Sequence, residues 1–283
     1  MGLGASVMCR CFVEGKTQPQ LSVPIRVAED GSLYLDFPLE GNEEIHVLFS
    51  NWRESGCAHR GMVYESEGIN WGAYRSFQQA LAEAGWEQFP TLEAELPQTN
   101  GGVTSSSAAT QMLAELAFFS EQAELGQVTA LVNSDTSEEL HHYIAAYGGE
   151  FHYGPGGDIF GVDEAGFFIR RSVGQGSQEV FRAMRVKQLI PDPNDAAEGS
   201  QPLVTFENLD SGVRYACAEP LVKIVYWPNG ALQNAEGQIR LGYPNRMHVL
   251  IRKRVAADFE AVVNSLRTIC EAAVQIGNPI AWR

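Results

Sequence analysis

"EFHYGPGGDIFGVDEAGFFIRRS", residues 150–172, decides the fold class. Three short apolar runs, "EFHY", "DIFGV" and "FFIRRS", are separated by "GPGG" and "DEAG", and that punctuation predicts a three-strand antiparallel meander. Downstream the extended texture continues through "VFRAMRVKQLI" (180–190) to the Pro-punctuated loop "PDPNDAAEGSQP" (191–202). Five further strands are expected in "LVTFEN", "RYACAE", "LVKIVYW", "GQIRLGY" and "MHVLIRK". The chain then turns helical: Val255, Phe259, Val262, Leu266, Ile269 and Ala273 recur at alternating spacings of four and three. Such a stripe is core, expected to lie against the sheet with Cys270 buried beside it.

Upstream of residue 150 the helical period dominates. Tyr74, Phe77, Leu81 and Ala84 predict a helix that starts at Asn70 and stops at Gly85. "QTNGGVTSSS" (98–107) leads into a second helix carrying Ala109, Met112, Leu113 and Leu116, with the serines as N-cap donors. Thr136 and Glu139 form a capping box ahead of Leu140, Tyr143, Ile144 and Tyr147, which predicts a third helix ending at Gly148 and Gly149. Strands are expected along Val7, Cys9, Cys11 and Val13 and around Gly31 to Phe37. The reading is α+β: residues 1–149 a helix-rich segment with an N-terminal strand, residues 150–283 an antiparallel sheet covered by a C-terminal helix. Pattern alone leaves open whether the two share one core.

The 283 residues are 45% apolar and 19% charged, the profile of a folded globular chain. No apolar run approaches the ~20 residues of a membrane helix, and the N-terminus lacks the basic and apolar regions of a secretion signal. Five cysteines, Cys9, Cys11, Cys57, Cys217 and Cys270, suit reduced thiols better than a disulfide framework. A cytoplasmic, bacterial protein is the expectation. Gly2 and Ser6 match a myristoylation pattern, but no polybasic patch follows to complete an anchor.

Charge is unevenly placed. Residues 76–169 hold no Lys or Arg against fourteen Asp and Glu, whereas residues 170–283 hold fourteen against eleven. An acidic field of this kind repels nucleic acid and attracts basic partners. The same acidity also serves solubility.

Two pairs of metal-type ligands stand one residue apart, Cys9 with Cys11 and Cys57 with His59. On extended backbone, residues i and i+2 share a face, so the two pairs together could supply a tetrahedral Cys3His zinc site. Structural zinc more often separates paired ligands by two to four residues, and Val7, Cys9, Cys11 and Val13 also read as one buried strand face. His46 is a substitute ligand. His152 and Asp158, flanking "GPGG", are the nearest approach to an acid/base pair, but no nucleophile motif accompanies them. His141 and His142 are expected on the polar side of the third helix. "NGGVTSSSA" lacks the phosphate-loop arrangement, and Asp192, Asn194, Asp195 and Glu198 depart from calcium-loop register.

The functional expectation is an intracellular, non-enzymatic binding protein, inhibitor-like or immunity-like, whose acidic face engages a basic protein partner. It binds no nucleic acid and no membrane, and Cys9, Cys11, Cys57 and His59 hold a structural zinc. The alternative is a hydrolase that uses the metal or the His152 and Asp158 pair.

Overall fold

The computed structural model describes the chain outside residues 1, 22, 123–124, 155, 175, 192–202 and 226–237. It is a mixed α+β protein, 31% helix and 36% strand, in which every strand pairing among the described residues is antiparallel. Two compact units are formed: unit 1 is Met1–Gly126 with Arg254–Arg283, and unit 2 is Gln127–Lys253. Unit 2 is therefore an insertion in unit 1, and the boundary expected between residues 149 and 150 falls inside it. None of the described helices is long and apolar enough to cross a membrane.

Unit 1 opens with strand β1 (Gly2–Met8), a short hairpin of β2 (Ile25–Val27) and β3 (Leu33–Leu35), helix α1 (Glu43–Ser55) and strand β4 (Val63–Asn70). Helix α2 (Trp71–Ala84), helix α3 (Pro90–Glu95), strand β5 (Val103–Thr104) and helix α4 (Ser106–Ser120) follow. Both expected starts appear: the Asn70 side chain accepts from the Ala73 N–H to cap α2, and the Ser105 hydroxyl accepts from the Ala108 N–H to cap α4.

Unit 2 runs from β6 (Gln127–Asn133) and β7 (Glu139–His142) into the meander of β8 (Glu150–Tyr153), β9 (Asp158–Asp163) and β10 (Gly166–Val173). It continues with β11 (Gly176–Ala183), β12 (Arg185–Leu189), β13 (Val204–Asn208) and β14 (Arg214–Cys217). The last three strands are β15 (Lys223–Val225), β16 (Arg240–Gly242) and β17 (Arg246–Lys253). The chain then re-enters unit 1 with α5 (Glu260–Ile276) and β18 (Ile280–Trp282).

In unit 2 the sheets β11-β10-β9-β8 and β14-β13-β12-β17-β6-β7 share one core. Phe160, Phe167, Phe181 and Phe206 meet there with ring centroids 5.4–6.4 Å apart. Of the residues expected to form a third helix, Glu139–His142 are strand β7 instead and only Ala145–Tyr147 make a short 3-10 turn that stops at Gly148, a correction with a physical cause. Leu131 and Ala130 of β6 pair with His141 and His142, and completing a sheet edge outweighs the local capping signal.

The C-terminal helix, expected to cover that sheet, belongs to unit 1. Its buried stripe, Val262, Leu266, Ile269 and Ala273, joins Leu3, Val7 and Ile69 from the sheet β4-β1-β18-β5 of unit 1. Phe259, just ahead of the helix, packs on Phe77 and Phe119 at 6.0 and 5.7 Å. Nor is the first half notably rich in helix, since residues 1–149 also supply seven strands, β1 to β7.

Where the chain leaves and re-enters unit 1, Leu125 N–H donates to the Arg254 carbonyl and Arg254 N–H to that of Gly126, at 3.3 and 3.0 Å. The Arg254 side chain is 1% exposed and meets the Glu83 carboxylate at 3.1 Å. Breaking a fully enclosed pair costs about 3–5 kcal/mol. Glu83 keeps 33% of its side chain in solvent, so Glu83→Gln is expected to cost about 2–3 kcal/mol. Urea unfolding followed by α5 amide exchange measures it, and a loss below about 0.5 kcal/mol would show the pair to be dispensable.

Candidate metal centre

Strands β1 and β4 pair along their length, Gly2 opposite Asn70 through to Met8 opposite Val63. Between them, residues 9–62 leave the sheet and return. The four ligand-type residues stand at the two feet of that excursion. Cys9 and Cys11 follow the end of β1, where the Cys9 N–H donates to the Met62 carbonyl at 2.8 Å. Cys57 and His59 lie in the bend between the end of α1 and the short 3-10 helix Arg60–Met62 that enters β4.

The extended-strand reading of Cys9 and Cys11 is overturned. β1 ends at Met8, residues 11–15 form a turn, and the Cys11 carbonyl accepts from the N–H groups of Lys16 and Thr17. The apolar face also breaks up: Val7 belongs to the main core of unit 1, Cys9 and Cys11 to a separate cluster with Met8, Leu33, Leu35, Phe49 and Met62, and Val13 is 52% exposed. A left-handed pair, Gly61 at φ 60° and Met62 at φ 59°, turns the second hook into β4. Glycine tolerates that conformation, and burial of the Met62 side chain offsets the strain there.

The ligand atoms of Cys9, Cys11, Cys57 and His59 all lie within 4.8 Å of one another. Cys9 Sγ and Cys57 Sγ are 3.8 Å apart, Cys11 Sγ and His59 Nδ1 3.4 Å, and Cys57 Sγ and His59 Nδ1 3.7 Å. A tetrahedral zinc ion with bonds of ~2.3 Å to sulfur and ~2.0–2.1 Å to nitrogen has ligand edges of about 3.8 Å between sulfurs and about 3.6 Å between sulfur and nitrogen. These three edges lie close to that geometry and the remaining ones are no longer than 4.8 Å, so the cluster could hold a metal ion such as zinc.

The tight spacing is accommodated by a local device repeated in both hooks. The backbone N–H of residue i+2 supports the sulfur of residue i: that of His59 donates to Cys57 Sγ at 3.4 Å, and that of Cys11 favours the Cys9 thiolate. Such N–H groups hold a metal-bound sulfur in place and stabilise its charge. Without a cation, burial pushes the Cys9 thiol up to about 12 and raises that of Cys11, against which the Lys16 charge works. A divalent ion would offset the cost of gathering three thiolates here.

The other candidates are not brought together. His46 stacks edge-on against Phe37 and is not among the clustered ligands. His152 Nε2 meets Glu219 at 3.1 Å, whereas buried Asp158 is held by Arg171 and by the Tyr215 hydroxyl at 2.8 Å. Instead of standing on a helix, His141 and His142 occupy adjacent positions of β7: His141 stacks on Phe151 at 3.9 Å and His142 bonds Glu139 at 2.8 Å. Asp192, Asn194, Asp195 and Glu198 lie outside the described residues. Spacing gave no hint of Lys16 or Met62, which act through charge and backbone.

No protein family, curated protein or solved structure matches this chain.

Two outcomes are expected. Elemental analysis of tag-free protein should find about one metal ion per chain, lost in Cys11→Ser; metal-free parent protein would assign the cluster to the core. In unit 2, burial, reinforced by the charges of His142 and His152, lowers His141 to about 4. The unfolded state binds that proton below about 6.5 and the folded state does not. Stability is therefore full above pH 6.5 and falls by about 2 kcal/mol on the way to pH 4.5. Glu139, held at about 2 against its burial by His142 and Arg252, acts only below that window. His141→Phe should flatten the urea midpoint between pH 6.5 and 4.5, and an unchanged slope would relieve His141 of this role.

Proposed function

We propose that the chain is a non-enzymatic binding protein, inhibitor-like or immunity-like, whose acidic surface engages a basic protein partner, and that a structural zinc on Cys9, Cys11, Cys57 and His59 holds the acidic unit in shape. The observation that carries this reading is the division of charge. Unit 1 has 20 Asp and Glu against 9 Lys and Arg; unit 2 has 15 against 11.

The acid-only stretch of residues 76–169 is divided by the fold into two groups with different fates. Within unit 2, Glu138 pairs with Lys223, Glu139 with Arg252, Glu150 with Arg170, Asp158 with Arg171 and Asp163 with Arg182. Those acids are largely neutralised by the basic stretch that follows them. Unit 1 keeps its surplus, with Glu87, Glu93 and Glu121 exposed. A surplus of that size steers a basic partner and speeds the encounter.

Zinc is favoured over other ions by the donor set, three thiolates and an imidazole. Four protein ligands leave no open position for substrate water, which supports a structural role over the hydrolase alternative. Closing a connection of 48 residues between Cys9 and Cys57 restricts the unfolded chain by about 3–4 kcal/mol.

The test is affinity for the cognate partner, identified by cross-linking in cells, as a function of ionic strength. The dissociation constant is expected to rise at least tenfold between about 50 and 300 mM salt. An affinity indifferent to salt would contradict the electrostatic reading.

A further inference from the structure

β4 is an edge strand of the sheet β4-β1-β18-β5, and a cavity of about 640 Å3 runs beside it. Two observations there point to an absent occupant. The Ser66 N–H, which among the described residues has no strand to pair with on the open side, donates to the carboxylate of its own neighbour, Glu65, at 3.1 Å. In the cavity wall, Ser6 is 5% exposed and its hydroxyl has no hydrogen-bond partner among the described residues. Open sheet edges are normally blunted or covered, and a buried hydroxyl is normally satisfied.

We infer that the edge of β4 takes an extended, basic segment of the partner as an added strand. This rests on the basic-partner reading above and places it at one surface. A carbonyl of the incoming strand accepts from the Ser66 N–H and releases the Glu65 carboxylate. Alternation along β4 puts Glu65 and Glu67 on one face and Ser66, with its cross-strand neighbour Ser6, on the other. The added strand therefore carries Lys or Arg at alternate positions against Glu65 and Glu67. The residue between them is polar and reaches over Ser66 toward the Ser6 hydroxyl and Arg283, both in the cavity wall.

The test is selection of a displayed random decapeptide library on the full, metal-replete chain, followed by titration of the enriched peptides. Peptides with Lys or Arg two residues apart are expected. Their affinity should fall at least tenfold in Ser66→Pro, which removes the outward N–H, and in Glu65→Lys/Glu67→Lys, and should hold in Ser66→Ala. Hydrogen exchange of the Ser66 amide in the parent chain should slow on binding, a readout that needs no variant to fold. Basic peptides that bind the parent and the charge-reversed chain equally and leave that amide unprotected would overturn the edge site while keeping a basic partner. Enriched peptides without basic residues, or no enrichment, would overturn both.

Discussion

The convergence of Cys9 and Cys11 with Cys57 and His59 is the constraint on which the N-terminal third of the structure depends. The sheet of unit 1 needs β1 and β4 side by side, yet residues 9–62 separate them, with a core of their own built on Phe49, Leu33, Leu35 and Met62. Phe12 and Phe49 pack on Trp52 at 5.7 and 5.9 Å within that excursion. A core of this size is small, and small cores need a staple. The four ligand-type residues stand at the two feet, where the chain leaves and rejoins the sheet, and an ion held by them would supply that staple.

The same excursion ends in the turn that leads into β4, so the candidate metal centre and the open strand edge are consecutive in sequence. Arg60 and Gly61, directly after His59, contribute to the cavity beside β4, and Tyr64 packs on the His59 ring at 5.4 Å. Loosening the second hook would displace the wall of the proposed docking surface. On the proposed reading, a structural metal and partner binding would be linked through these few residues, with no need for the ion to touch the partner.

Much of this was legible in the sequence where local signals and tertiary demand agree. Asn70 and Ser105 cap their helices as spacing indicates, and the three strands β8, β9 and β10 pair in the antiparallel order that the punctuation between them predicts. Legibility failed where distant strands decide. Glu139–His142 carry a good helix start, but β6 offered a sheet edge. The stripe on α5 reads as core, yet periodicity cannot name the sheet it faces, and it packs on the first strand of the chain. The four ligands were readable as residue types; that turns rather than a strand would present them was not, because the N–H···S contacts that shape the hooks leave no mark in spacing. Charge gave the acidic run but not its division between two units.

The measurement that tests the central claim most directly is zinc K-edge X-ray absorption on the purified, zinc-replete chain. Three sulfurs at about 2.3 Å and one nitrogen at about 2.0–2.1 Å, with no oxygen from solvent, are predicted for a closed Cys3His staple. A shell containing a water oxygen, or fewer than three sulfurs, would contradict it.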